Sequence, residues 1–264
     1  MKVALLQYCA SPDKSANLAL SLLMAQEAID KKARFILLPE VFNYRGDGRN
    51  KELFTKAAET IPGPSSKAFT SLARKHKIFI LLGSIIEKTQ TALGYNTSIL
   101  IDPNGEITAK YRKINLFDAC IGDKIVRERD SFKSGRRLTT VKVDDFRVGL
   151  SICYDLRFPH LYQKYAQRGV DVLTVPACFT KKTGEAHWEA LLRARAIENL
   201  SYVLAPNQIG TDIRGMQAYG NSMIISPWGE ILSRGSVDAQ EIVYGEINSN
   251  EVKKARSILP GIIK

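Results

Sequence analysis

The chain is poor in the residues that metal centres and disulfide frameworks need. Its 264 residues include only four cysteines (Cys9, Cys120, Cys153, Cys178) and three histidines (His76, His160, His187), far apart and without a CxxC pair. That spacing matches no zinc-ligand pattern, so no metal is expected. Few cysteines without a framework suit a reducing compartment, which makes the cytoplasm the expected location. No stretch approaches the ~18 consecutive apolar residues of a membrane helix, so no membrane partner is expected. Near the start, Gln7 interrupts the apolar run of Val3-Ala4-Leu5-Leu6 too early for a signal peptide, and a first β-strand is the better reading. A linker of Pro/Gly/Ser type is also lacking, and residues 1–264 read as one domain, long enough to bury a substantial core.

Charge is present in excess of one sign. Lys and Arg outnumber Asp and Glu by 38 to 27, a net charge of +11. The densest basic runs are only Lys31-Lys32, Arg136-Arg137 and Lys181-Lys182, and no aromatic residues interleave them. A base-stacking surface needs that interleaving, so nucleic acid is not an expected partner. The surplus is compatible with steering of acidic small molecules.

Short runs rich in Val, Ile and Leu recur along the chain. Strands are expected at Val3–Tyr8, Phe35–Leu38, Ile78–Ile86, Thr97–Ile101 and Ile107–Arg112, then at Phe146–Ile152, Val170–Val175, Tyr202–Pro206, Ser222–Ser226 and Ile242–Glu246. Several are apolar nearly throughout, as strands covered on both faces should be. Helical spacing falls between them, at Ala16–Lys32, Ser65–Lys75 (with Ser65 as cap), His160–Arg168 and Glu185–Asn199. Turn signals at Asp102-Pro103-Asn104-Gly105 and Pro227-Trp228-Gly229-Glu230 sit in each half between strands. The alternation argues an α/β fold, and the shared rhythm of the halves suggests two sheet-and-helix layers packed face to face. The least patterned stretch is Asp118 to Arg137, a polar segment of the length that functional loops have.

Three residues of complementary chemistry stand at or just past strand ends, where α/β folds gather ligand sites: Glu40, Lys113 and Cys153. On its own, Cys153 fits a buried core thiol as well as a nucleophile. With the other two it fits acyl transfer. A thiol needs a base, which Glu40 can be, and an ammonium such as Lys113 can hold the oxyanion, with the Tyr154 N–H as a second donor. A Cys–His hydrolase using His160 or His187 is a rival enzyme reading, and a binding module for acidic partners is a non-enzymatic one.

The segments Leu37-Leu38-Pro39-Glu40, Tyr111-Arg112-Lys113-Ile114-Asn115-Leu116-Phe117 and Ile152-Cys153-Tyr154-Asp155-Leu156-Arg157-Phe158-Pro159 resemble, in order, the three signature motifs of the nitrilase superfamily of carbon–nitrogen hydrolases. The resemblance implies a four-layer α-β-β-α sandwich, a Glu40–Lys113–Cys153 triad, no cofactor, and a homodimer or higher homo-oligomer. It also implies a second active-site glutamate, for which Glu128 is the candidate. The stretch from Phe179-Thr180 through His187-Trp188 to Arg193-Ala194-Arg195, with Tyr219-Gly220-Asn221-Ser222, is similar to the branch acting on deaminated glutathione and on omega-amides of α-keto acids. Many relatives have histidine where Asn221 stands. The branch implies a small carboxylate-bearing amide as substrate, with Tyr154, Thr180 and His187 near it. A nitrilase or an N-carbamoyl amine hydrolase remains the alternative within the family. Arg193 and Arg195 point to different helix faces, so at most one can line a pocket, and the other is expected to pair with a residue such as Glu198. Cys178 reads as a core residue or one behind the site. Asp155 and Arg157 are expected to pair together or hold the turn after Cys153.

Overall fold

The structure is a computed structural model that describes residues 1–48, 50–121 and 124–260. The first half runs β1 (Lys2–Gln7), α1 (Lys14–Asp30), β2 (Phe35–Leu37), α2 (Lys51–Ala57), α3 (Pro64–His76), β3 (Phe79–Glu87), β4 (Tyr95–Ile101) and β5 (Ile107–Arg112). A short antiparallel pair follows, β6 (Asp118–Ile121) and β7 (Lys124–Arg127). The second half runs β8 (Thr140–Val143), β9 (Phe146–Leu150), α4 (Pro159–Gln167), β10 (Val172–Thr174), α5 (Lys181–Asn199), β11 (Tyr202–Ala205), β12 (Met223–Ile225) and β13 (Ile231–Arg234). β14 (Glu241–Glu246) and α6 (Ser249–Ile258) close the chain. No described helix is long and apolar enough to cross a membrane.

Two six-stranded sheets result, ordered β14-β1-β2-β3-β4-β5 and β13-β12-β11-β10-β9-β8. Period-two alternation divides the first sheet between two cores. Val3, Leu5, Phe35, Leu37 and Leu81 join Val148, Leu150, Val172 and Val203 of the second sheet. Ala4, Leu6, Ile36, Ile80 and Leu82 instead pack with Ala25 and Ala28 of α1 and with Phe69 of α3. Strands buried on both faces have no polar side to show, which is why their sequences are continuously apolar. On the second sheet, α5 presents Trp188, Leu192, Arg195, Ala196 and Asn199 inward at helical spacing. This is the expected α-β-β-α sandwich.

All ten expected strands are present within a few residues of their expected ends, and the differences are local. β14 leaves the second half and pairs antiparallel with β1. There it covers the backbone N–H and C=O groups that an edge β1 would expose. The stretch expected to be a loop holds the β6–β7 pair. Ser65 does not cap α3. Pro64 takes the first helical position, which moves the cap to Gly63, whose N–H donates to Ser66 Oγ. Ser65 instead donates its N–H and hydroxyl to Glu59 (2.8 and 2.6 Å).

Candidate active site

Glu40 follows β2 through Pro39. The turn lies so close to β3 that a Cβ on Gly83 would collide with the Leu38 and Pro39 carbonyl oxygens. Val41, next in the chain, has φ +48°, a left-handed conformation that a β-branched residue resists. The buried Glu40 carboxylate accepts three hydrogen bonds. Oε1 takes Lys113 Nζ at 2.8 Å and Asn96 Nδ2 at 2.9 Å, and Oε2 takes the Cys178 N–H at 2.9 Å. Lys113 follows β5 and is held by the backbone on both sides, donating to Asn96 O (2.9 Å) and accepting from Gly135 N (2.8 Å). Its ammonium also meets Glu128 at 2.9 Å. Glu128 opens a 3-10 turn after β7, and its Oε2 accepts the Phe117 N–H at 2.7 Å.

Cys153 opens a second 3-10 turn beyond β9, with φ +46° and its N–H on Pro176 O (2.9 Å). Such a conformation costs about 1–3 kcal/mol and persists only where the surroundings impose it. Asp155 imposes it here. Fully buried, it accepts from Ile152 N (3.0 Å), Tyr111 Oη (2.7 Å), and Asn115 N and Nδ2 (both 2.9 Å). One carboxylate thus ties the turn carrying Cys153 to the segment carrying Lys113. Arg157 does not share in this. It lies over the rings of Tyr154 and Phe179.

Burial pushes the Cys153 thiol well above its ordinary pKa, the Glu40 charge adds to this, and Lys113 only partly opposes it. Burial would strip Lys113 of its proton, but Glu128 and Glu40 more than offset that and hold it well above its usual value. Burial also raises Glu128, with Lys113 opposing and Glu40 reinforcing. The resting arrangement is therefore a neutral thiol beside a fixed ammonium, and the thiol needs a base to become a nucleophile.

Glu40, Lys113, Glu128, Cys153 and Thr180 line one cavity of about 430 Å³. Phe54, Ile86, Phe117 and Phe132 supply apolar wall, β7 a flank through Val126 and Arg127, and the Asp212–Arg214 pair (2.9 Å) lies along its margin. Cys178 also lines it, its thiol pushed up to about 11 by burial. Two side chains expected near substrate are turned away from this lining. The Tyr154 ring packs between Phe117 and Phe158 (centroids 5.0 and 5.5 Å). His187 is exposed, because α5 turns its neighbour Trp188 into the core, where the indole N–H donates to Asn221 O. His187 Nδ1 lies 3.3 Å from Arg157 instead. His160 is exposed as well and absent from the lining, so the cavity offers Cys153 no imidazole. Arg195 is buried and pairs with Glu198 at 2.7 Å, while Arg193 pairs with Glu189, and neither reaches the cavity. Asn96, Tyr44 and Arg45 belong to the site without any sequence signal pointing to them. Asn96 is a mid-strand polar residue, and the other two follow the first motif in a loop without a pattern.

A buried thiol, a carboxylate and an ammonium thus share one cavity wall in an α-β-β-α sandwich. Residues 2–257 match the carbon-nitrogen hydrolase family. The chain belongs to that family and is an enzyme of its amidase kind. It is 37% identical over 260 residues to the omega-amidase NIT2 of Homo sapiens, covering 98% of this chain and 92% of that one. It is 35% identical over 266 residues to the deaminated glutathione amidase of Dictyostelium discoideum, covering 98% and 91%. The crystal structure of Saccharomyces cerevisiae Nit3, a member of branch 10 of the nitrilase superfamily, superposes with a TM-score of 0.88. It is 30% identical and covers 99% of this chain and 94% of that one.

Proposed function

We propose that the chain hydrolyses the primary amide of a small carboxylate-bearing molecule, such as deaminated glutathione or the omega-amide of an α-keto acid, through a thioester on Cys153. The observation that carries this reading is the Lys113 ammonium seated between Glu40 and Glu128 in the wall that Cys153 shares. The thiol sulfur attacks the amide carbon while its proton passes to Glu40. The oxyanion rests on Lys113 and the Tyr154 N–H. Glu40 returns the proton to the nitrogen, the C–N bond breaks and ammonia leaves. Glu40 then takes a proton from water, the hydroxide attacks the thioester, and the C–S bond breaks as Glu40 returns that proton to sulfur, giving the acid and the thiol. Glu128 positions Lys113, and Thr180 contacts substrate.

The names of the relatives support the substrate class, and the net charge of +11 suits an anionic substrate. Nitriles and N-carbamoyl amines are the alternative substrates for the same machinery. Residues 1–264 form one domain in this reading, and the enzyme is a cytoplasmic homodimer or higher homo-oligomer. The test is ammonia release from a panel of ω-amides, with nitriles and carbamoyl amines alongside, joined to mass spectrometry of the trapped enzyme. An acyl adduct on Cys153 and turnover of ω-amides are expected. Near-native turnover by Cys153→Ala would overturn the mechanism.

A further inference from the structure

Among the described residues, two buried hydrogen-bond donors in the wall of this cavity have no partner, and they are adjacent in sequence. Tyr44 Oη and Arg45 Nε both lie out of solvent without an acceptor, in residues 7% and 5% exposed. Both residues line the cavity. The place of Tyr44 is built into the chain, since its ring lies against Gly46 where any Cβ would collide with it.

Arg45 differs from two other cations that line the cavity. Lys113 has Glu40 and Glu128, and Arg214 has Asp212. The other bonds of the Arg45 guanidinium go to uncharged acceptors: Ile209 O (2.7 Å), Met216 O (2.9 Å), Gly210 O (3.3 Å) and Cys9 Sγ (3.6 Å). No ion pair joins Arg45 to a carboxylate among the described residues. Those carbonyls fix the plane of the guanidinium and leave its charge uncompensated. A buried charge of that kind calls for an anion. Burial, with the charge of Asp47, raises the Tyr44 pKa, so the phenol keeps its proton and can donate. A guanidinium edge and a phenol are donors suited to the two oxygens of a carboxylate.

We propose that Tyr44 and Arg45 form a carboxylate-receiving subsite, which holds the free carboxylate of the substrate away from the amide and sets the preference for acidic amides. This rests on the amidase reading above and assigns it a specificity determinant.

The experiment uses the full chain and two probe amides, succinamate and its methyl ester. Wild-type enzyme should favour the free acid in kcat/KM. Tyr44→Phe and Arg45→Met should cut kcat/KM for the acid on the order of ten- to a hundredfold, chiefly through KM, with the arginine variant more affected. Turnover of the ester should stay within about threefold, as expected where no charged bond is lost. Arg45→Lys, which keeps the charge and lacks the Nε donor, should recover part of the loss. Tyr44→Phe removes only a hydroxyl, and its ester turnover reports an intact site. Equal losses on acid and ester, or no loss on either, would overturn the subsite and leave the amidase reading standing. Calorimetry separates the two claims if no amide is turned over. Succinate should bind wild type and not Arg45→Met, and inorganic phosphate should bind more weakly. Equal succinate binding by both, or tighter phosphate binding, would reject the assignment.

Discussion

Arg112 and Lys113 are neighbours at the end of β5, yet they build charge clusters of opposite character. Arg112 meets Glu87 edge to edge, with Nε on Oε2 and Nη2 on Oε1, both at 2.7 Å, and Thr97 Oγ1 adds a third bond at 2.7 Å. Its guanidinium stacks over the Tyr95 ring at 4.0 Å, and its side chain stays 44% exposed. Burial alone would raise Glu87, but Arg112 and Thr97 outweigh it and hold the carboxyl below its usual range. Lys113 points the other way, is wholly buried, and serves two carboxylates with one ammonium. There Glu128 is pushed up. The difference is stoichiometric. One cation matched to one carboxylate makes a tie between strands, while one cation shared by two carboxylates beside a thiol leaves charge available for chemistry.

Substitutions on the two sides should separate accordingly. Lys113→Ala carries the largest expected effect. It removes the proposed oxyanion partner and leaves the buried Glu40 and the half-buried Glu128 carboxylates facing each other, so turnover should fall by more than about 10³-fold in an ammonia-release assay. Residual activity near wild type would place the oxyanion elsewhere. Glu128→Gln keeps the size of the side chain and weakens its hold on Lys113, so kcat should drop about 10–10²-fold with KM less affected. Its melting temperature should move less than that of the Glu87 variant, because the folded protein already disfavours the Glu128 charge. A large loss of stability with full activity would invert the comparison.

Glu87→Gln should do the reverse: lower stability by about 1–3 kcal/mol, or several degrees in calorimetry, with kcat nearly unchanged. The pH dependence follows from the sign of the shift. Glu87 is lowered from 4.5 in the folded protein, so its contribution is complete above that value and is lost as pH falls through the folded pKa. The variant should show a shallower acid limb, and an unchanged limb would mean the pair contributes nothing. The smallest effect concerns the thiol itself. Because burial raises Cys153, its alkylation by iodoacetamide should be slow at neutral pH and keep rising with no plateau below about pH 9, with exposed Cys120 as the internal standard. A plateau near neutrality would indicate a preformed thiolate.

Much of the fold is legible in the chain because burial leaves a periodic trace. The ten expected strands are the apolar ones. β8 and β13 escape notice because they are short and half-exposed, so Lys142 and Arg234 break the apolar signal. α6 buries only Val252 and Ala255, too few to mark a helical face. At the site, Glu40, Lys113 and Cys153 stand out by residue type and strand-end position, and Glu128 only through resemblance. Tyr44 and Arg45 leave no such trace, because their significance lies in bonds they do not make.

The sequence by itself determined the alternation of strands and helices, the two-faced burial of the central strands, and the chemical set of thiol, carboxylate and ammonium. Tertiary structure decided that β14 joins the sheet of the first half, that His187 turns outward while Trp188 turns in, and that Glu40 reaches Lys113 across 73 positions of chain. It also decided the left-handed backbone at Val41 and Cys153. The reason is one of range. Periodicity records how each residue meets water within its own element, whereas pairing across the fold depends on how the elements pack, and no local pattern carries that information.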